Sequence, residues 1–185
     1  MEHCARPAAE ADLGDLRRLW DQAVAELDGQ RGGWSLAGGL WRDDLDAFLG
    51  HALAGGDGDR LMVLGTSRGR PVGVASLMAD RDRREPLGVL ELIYVEPPSR
   101  RTGIAAAMLQ LVLDRCEEWG VAGLDAPALP GNRTAKSFFE RLGMRARLLV
   151  MHRTTGAPPE DHDASHVDRA ADGQGPADVG PPAGG

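Results

Sequence analysis

The stretch Val95-Glu-Pro-Pro-Ser-Arg-Arg-Thr-Gly-Ile-Ala-Ala-Ala-Met108 constrains the fold of this chain more than any other. An apolar, strand-like run from Leu87 to Val95 stops at Pro97-Pro98, a Gly-centred loop follows, and a helix opens directly behind it. The pattern Arg100-x-x-Gly103-x-Ala105 leaves several backbone N–H groups free at a helix N-terminus, and Gly103 lets a ligand approach the main chain. Such a site attracts a phosphate through donor geometry and through the positive end of the helix dipole, and Arg100 and Arg101 add positive charge beside it. One dipole interaction is worth only about 0.3–1 kcal/mol, up to ~2 when partly buried, so several aligned donors must hold an anion together. The same residues also suit an ordinary strand–helix loop with a glycine turn. Neither a G-x-x-x-x-G-K-[ST] P-loop nor the three-glycine dinucleotide fingerprint is present.

A chain of 185 residues, 42% hydrophobic and 26% charged, has enough apolar surface for a sizeable core in a single α/β unit. The net charge of −7 argues against bulk nucleic-acid binding, which calls for a basic patch. No apolar run approaches the ~20 residues that span a bilayer, and no membrane partner is expected. The N-terminal segment lacks a signal-peptide hydrophobic core, and two cysteines, Cys4 and Cys116, are too few for a disulfide scaffold. A reduced, cytoplasmic setting is the expectation. Near residue 153 the composition changes. Residues 154–185 are rich in Pro, Gly, Ala and Asp, and carry six carboxylates against Arg169, a composition expected to stay disordered. That tail accounts for −5 of the −7, so residues 1–153 hold −2 and the overall acidity says little about a substrate.

Within residues 1–153 strand and helix periodicities alternate. Residues 3–8 read as a strand, and Asp12 as the cap of a helix with Leu13, Leu16, Trp20, Val24 and Leu27 on one face. A Gly-rich break from Asp28 to Gly39 leads to a second helix with Trp41, Leu45, Phe48, Leu49 and Ala52. Leu61–Leu64 and Val72–Met78 read as a hairpin turning at Arg68-Gly-Arg-Pro71. The strand at 87–96, a helix ending at Gly120, a strand at 121–126, a helix at 132–142 and a strand at 145–152 follow. The expected order is β-α-α-β-β-β-α-β-α-β.

A second motif, Asn132-Arg-Thr-Ala-Lys-Ser-Phe-Phe-Glu-Arg-Leu-Gly143-Met144, reads locally as an N-cap, a core face of Ala135, Phe138, Phe139 and Leu142, and a glycine stop. With the first motif and the element order, it makes residues 3–153 resemble the GNAT superfamily of acyl-CoA-dependent N-acetyltransferases. The resemblance implies an α/β (α+β) fold, with a mixed central sheet of about six to seven strands flanked by about four helices. It implies a pyrophosphate loop at Arg100, Arg101, Thr102, Gly103, Ile104, Ala105 and Ala106. It also implies a bulge in the central strand, whose backbone at Ile93, Tyr94 and Val95 binds the thioester carbonyl and pantetheine. Asn132 is expected on the pantetheine arm, and Phe139 against the cofactor.

The implied chemistry is direct acetyl transfer from acetyl-CoA to a primary amine. The amine must be neutral to attack, while a free alkylammonium has a pKa of ~10.4, so a base or water relay helps. Family members often carry a carboxylate where this chain has Glu91, and strict alternation would put Glu91, Ile93 and Val95 on one face. A structurally paired carboxylate is the competing reading. Many members place a tyrosine, a proton donor for the departing thiolate, where this chain has Phe139. Tyr94 is the only tyrosine.

The remaining conspicuous residues read more plainly. Cys116 suits a core, Trp20 and Trp41 suit helix packing, and the tail segment from Asp161 to His166 suits solvation rather than a metal. In the first connection, Arg31 and Trp34 are candidates to meet substrate, since the family walls its acceptor site there; a loop without that role fits equally well. The expected function is amine acetylation, of a small molecule or a protein. A non-enzymatic CoA-binding module is the alternative that Phe139 favours and Glu91 opposes. The resemblance leaves a homodimer open.

Overall fold

The computed structural model describes residues 3–40, 42–55 and 58–152. Trp41 and the tail, with its Asp161–His166 segment, fall outside them. In chain order the elements are β1 (His3–Pro7), α1 (Leu13–Asp28), α2 (Gly33–Leu40), α3 (Leu45–Leu53), β2 (Arg60–Ser67), β3 (Arg70–Asp80), β4 (Leu87–Val95), α4 (Ile104–Glu118), β5 (Leu124–Asp125) and α5 (Arg133–Arg141). The sheet runs β1-β2-β3-β4-β5, antiparallel up to β4 and parallel between β4 and β5. This mixed sheet has α4 and Phe139 of α5 in the hydrophobic cluster on one face, and α1 and α3 in the cluster on the other. One compact unit extends through Met144, and a second begins at Arg145.

Local chemistry explains most boundaries. The β2–β3 hairpin turns on Arg68 and Gly69, with φ of 51° and 78°, the pair of positive values that a two-residue hairpin needs. At α5, the Asn132 side chain accepts from Ala135 N at 2.9 Å. The far end closes with Met144 N donating to Phe139 O and Gly143 N to Glu140 O, both at 3.1 Å, the double bond of a Schellman stop. The seam between α4 and the sheet depends on Gly65, where a Cβ would lie 2.4 Å from Ile104 Cγ2 and 2.9 Å from Met108 Sδ. Any side chain there would push the helix off the sheet.

Three expectations need correction. The Gly-rich break is half helical: α2 buries Gly33, Ala37 and Leu40 at i, i+4 and i+7, and Leu40 O accepts from Trp20 Nε1 at 3.2 Å. Burial here outweighs the ~1 kcal/mol helix penalty of glycine. Residues 145–152 form no strand, and Leu148, Leu149, Val150 and Met151 are exposed. The sheet therefore has five strands among the described residues, with five α-helices. Pro127, which cannot donate to a ladder, lies two residues beyond the end of β5, a strand of two residues. Lastly, Asp12 stands at the start of α1 without capping it. Its carboxylate accepts from Arg6 at 2.6 and 2.8 Å and from Ala9 N at 2.8 Å, fastening β1 to the helix entry.

The Arg6 hydrogen bond, and then the Ala9 N–H, hold the Asp12 carboxyl below its usual range against the opposing effect of burial. A lowered folded-state pKa contributes stability above the unfolded value of about 3.9, lost as pH falls through the folded value. Asp12→Asn should therefore lower the melting temperature at pH 7, while the gap from wild type closes as pH falls below the unfolded value and through the folded one. Melting curves of the two proteins across that range test this; a gap independent of pH would count against it.

Candidate active site

The register between β3 and β4 slips by one residue. Ser76 pairs with Leu92 and Leu77 with Leu90, which leaves Glu91 as the extra residue of a β-bulge. A bulge interrupts alternation. Leu90, Ile93 and Val95 pack with the α4 cluster, whereas Leu92 and Tyr94 pack with α1 and α3. Glu91 does not share a face with Ile93 and Val95 as strict alternation would have it. Its carboxylate instead points to Arg60 and Ser76, which lie with Met62, Leu64 and Val74 on the α1/α3 side. Glu91 Oε2 is ion-paired with Arg60 and accepts from Ser76 Oγ at 2.8 Å. Its Oε1 stands 3.8 Å from Arg42 Nη2. The two guanidinium groups lie over the Phe48 ring, at 4.5 Å for Arg42 and 4.8 Å for Arg60. Glu91 is thus both a structurally paired carboxylate and a group with one oxygen less committed than the other.

On its other side β4 is open. β5 pairs only with Gly88 and Val89, so from Leu90 to Val95 no strand flanks this edge among the described residues. The edge leads straight into the loop singled out by the sequence. Gly103 is the N-cap of α4 with φ of 93°, and a Cβ built on it meets nothing within 4 Å. The mouth of the helix is unobstructed there, as close approach of a phosphate to the main chain requires. Arg101 is also left-handed, with φ of 63°, and Thr102 Oγ1 donates to Ser99 O at 2.7 Å. Arg100 is turned away from the helix mouth: Nε donates to Val95 O at 2.8 Å and Nη2 to Glu26 Oε2 of α1 at 2.6 Å. It braces the loop in this structure.

Sequence reasoning missed Glu96. This carboxylate is only 8% exposed, between Val95 and the Pro-Pro corner. It is ion-paired with Arg18 of α1 and accepts from Arg70 at 3.2 Å, while Arg18 also donates to Asp15 at 3.0 Å and Pro71 O at 2.9 Å. The available signal was a charge at the mouth of an apolar strand, which usually means solvent.

Asn132 and Phe139 divide their duties. Asn132 Oδ1 caps α5 and Nδ2 donates to Gln30 Oε1 at 3.1 Å. Phe139 is buried in the α4-side cluster, its ring 5.3 Å from that of Phe138. Tyr94 packs in the cluster on the opposite face, near Arg100 and Glu26. Burial, then Glu26, push its hydroxyl pKa up. A tyrosine on the far face does not occupy the place of Phe139.

Between α1, α2 and α3 lies a cavity of about 730 Å³, within the ~300–1,000 Å³ typical of small-molecule sites. Trp20, Val24, Ala37, Leu40 and Leu45 line it with apolar surface, and Asp21, Asp28, Asp43, Arg17, Arg42 and Trp34 with polar or aromatic surface. Asp28 and Asp43 have no side-chain partner among the described residues. Arg42 belongs both to this cavity and to the Glu91 cluster. Trp34 is brought to the cavity; Arg31, exposed in the preceding turn, does not line it.

The acetyltransferase (GNAT) family model matches residues 20–144. The chain belongs to the GNAT acetyltransferase family. No curated protein matches it by sequence. Among solved structures it is similar to the aminoglycoside acetyltransferase AAC(6')-Iy in complex with a bisubstrate analogue, CoA-S-monomethyl-acetylneamine. That likeness has 19% identity and a TM-score of 0.66, over 83% of this chain and 99% of that one. It is also similar to the aminoglycoside 6'-N-acetyltransferase AAC(6')-IG of Acinetobacter haemolyticus, at 20% identity and TM-score 0.61, over 85% and 100% of the two chains. A third likeness is to an aminoglycoside acetyltransferase from an uncultured soil metagenomic sample, in complex with sisomicin, at 15% identity and TM-score 0.62, over 84% and 97%. At these identities the likeness is one of fold. No helix of the described residues is long and apolar enough to cross a membrane.

In this GNAT domain the bulge, the open edge of β4 and the mouth of α4 form one continuous track. Gly103→Val tests whether the track holds CoA. Valine at φ 93° is strained, and its side chain would stand in the open mouth. The variant should fold, with a lower melting temperature, and give no CoA heat by calorimetry. Unchanged CoA affinity in a folded variant would rule out main-chain binding at this loop.

Proposed function

We propose that this protein transfers the acetyl group of acetyl-CoA directly to a primary amine of a small, multiply cationic molecule. The observation that carries the transfer reading is the unobstructed, left-handed Gly103 at the N-terminus of α4, directly downstream of a bulged and open-edged β4. The α4 N–H groups would receive the pyrophosphate and the β4 edge at Ile93, Tyr94 and Val95 the pantetheine and thioester carbonyl. The amine nitrogen attacks the carbonyl carbon, the C–S bond breaks and the thiolate leaves.

The cavity supports this acceptor class. Asp28 and Asp43, with Asp21 4.0 Å from Arg17, give it carboxylates that draw an ammonium group, and Trp34 offers an aromatic face for a cation. The aminoglycoside acetyltransferases of like fold support an acceptor with several amines. Glu91, through Oε1 and water, takes the proton that the attacking amine must lose. Ser76 and Arg60 fix that carboxylate, and Arg42 links it to the acceptor cavity.

Phe139 has no proton to give, yet transfer does not depend on one. Orientation alone supplies about 7–11 kcal/mol, and thiols with pKa near ~8.5 leave readily as thiolates. The second reading, a CoA-binding module without turnover, is favoured by Phe139 and by the pairing of Glu91.

Thiol release from acetyl-CoA over a panel of mono-, di- and polyamines and aminoglycosides separates the two. Turnover should rise with the number of amines, and the double change Asp28→Asn, Asp43→Asn should raise KM several-fold for polyamines and little for monoamines. Glu91→Gln should lower kcat by up to about 10²–10⁴, most steeply below the amine's pKa, with melting temperature read in parallel. Phe139→Tyr should raise kcat if thiolate departure limits the rate. CoA binding without thiol release from any amine, in wild type and Phe139→Tyr alike, would make the binding-module reading the better one.

A further inference from the structure

The contact between Gln30 and Asn132 joins two parts of the molecule 102 residues apart, and the transfer chemistry as described makes no use of it. Gln30 sits in the turn between α1 and α2, held by its own N donating to Leu27 O at 2.9 Å and by Gly33 N donating to its carbonyl at 2.7 Å. Asn132 begins α5. A second contact lies beside the first: a Cβ on Gly32 would stand 3.9 Å from Leu129 Cδ2, and Leu129 is 8% exposed. α1 packs on one face of the sheet and Phe139 of α5 on the other, so the two turns meet around its rim. The Glu26–Arg100 pair, four residues before Gln30, sets that meeting beside the C-terminal end of β4, whose edge is open.

The Asn132 side chain has little freedom. Its Oδ1 is committed to Ala135 N, so its Nδ2 is aimed by the helix cap, and one N–H goes to Gln30. The amide carries a second N–H, which on the CoA reading is left to donate to an acceptor of the bound cofactor. An amide carbonyl of an acyl-CoA arm is such an acceptor. A group that fixes Asn132 also fixes the donor on which Gln30 rests, and with it the turn leading to Asp28 and Trp34 of the cavity.

We propose that Gln30 is a positioning residue that couples the cofactor track to the acceptor cavity: CoA on the track orders the 28–34 turn through Asn132. The inference rests on the CoA reading above. By linkage, an acceptor that needs the ordered turn binds more tightly once CoA is bound. One hydrogen bond between neutral groups sets the scale of the coupling at about two- to tenfold in affinity.

Backbone hydrogen exchange on the full chain, with and without CoA, reads this directly. In wild type, CoA should slow exchange in 100–106 and in 28–34. In Gln30→Ala, protection at 100–106 should persist and the response at 28–34 disappear, with CoA affinity by calorimetry lowered by less than about tenfold. Gln30→Glu keeps an acceptor oxygen toward Asn132 Nδ2 and should restore the response. Loss of the CoA response at 28–34 in Gln30→Ala, with rescue by Gln30→Glu, supports the coupling. Protection at 100–106 with no response at 28–34 in wild type overturns it, as does a response that survives in Gln30→Ala. No CoA heat and no protection at 100–106 overturns the CoA reading, and the coupling with it.

Discussion

One extra residue in β4 decides how the rest of the molecule is arranged. Side chains of a regular strand alternate with a period of two, so a single insertion exchanges the two faces from that point on. Glu91 is that insertion. Before it Leu90 packs against α4, after it Leu92 and Tyr94 pack against α1 and α3, and Ile93 and Val95 return to the α4 side. A carboxylate would be costly in a half-buried strand, but here Arg60, Ser76 and Arg42 satisfy it. The bulge thus sets a carboxylate in the middle of the sheet beside Ser76 and Arg60 and turns it toward the α1 side, where the cavity lies.

Arginine–carboxylate pairs then fix the path of the chain beyond β4. Glu96 ties the corner to Arg18 and Arg70, and Arg100 ties the loop to Glu26. Two of these bonds run to α1, so the helix that borders the cavity also braces the loop ahead of α4. Half-buried ion pairs contribute little net stability once desolvation is counted; their effect here is geometric. The loop is held from α1, from Val95 O and from the Pro97–Ser99 turn before α4 begins. An anion meeting N–H groups already in place does not have to order them.

The buried side chains at the centre of the site impose a division of labour. Phe139 and Tyr94 lie on opposite faces, one in the α4 cluster and one in the α1 cluster. Phe139 carries no proton donor, and the single tyrosine sits where it steadies Arg100. On the proposed reading, chemistry without a fixed acid places the weight on orientation along the bulge, the open edge and the helix mouth.

Local signals fixed much of this in advance. Gly103 before a helix, Asn132 as a cap with Gly143 as a stop, and a hairpin turn within residues 68–71 each depend on the conformational needs of a few neighbouring residues. The first two stand as expected, and the turn closes on Arg68-Gly69 with Arg70 and Pro71 already in β3. The alternating elements of a mixed sheet follow from hydrophobic periods in the same way. What periodicity cannot see is partnership. Whether Leu148–Met151 becomes a strand depends on an edge to pair with, which an apolar run does not supply by itself. Whether a glycine-rich segment coils or forms α2 depends on Trp20 waiting for Leu40. The face that Glu91 takes depends on a register slip in β3 and β4 together, and the burial of Glu96 on Arg18, 78 residues away. The sequence by itself determined the family, the glycine that opens α4 and the cap and stop of α5, because those rest on residues close together in the chain. Only the tertiary structure decided which face each side chain takes and which charges meet, because those rest on contacts between distant segments.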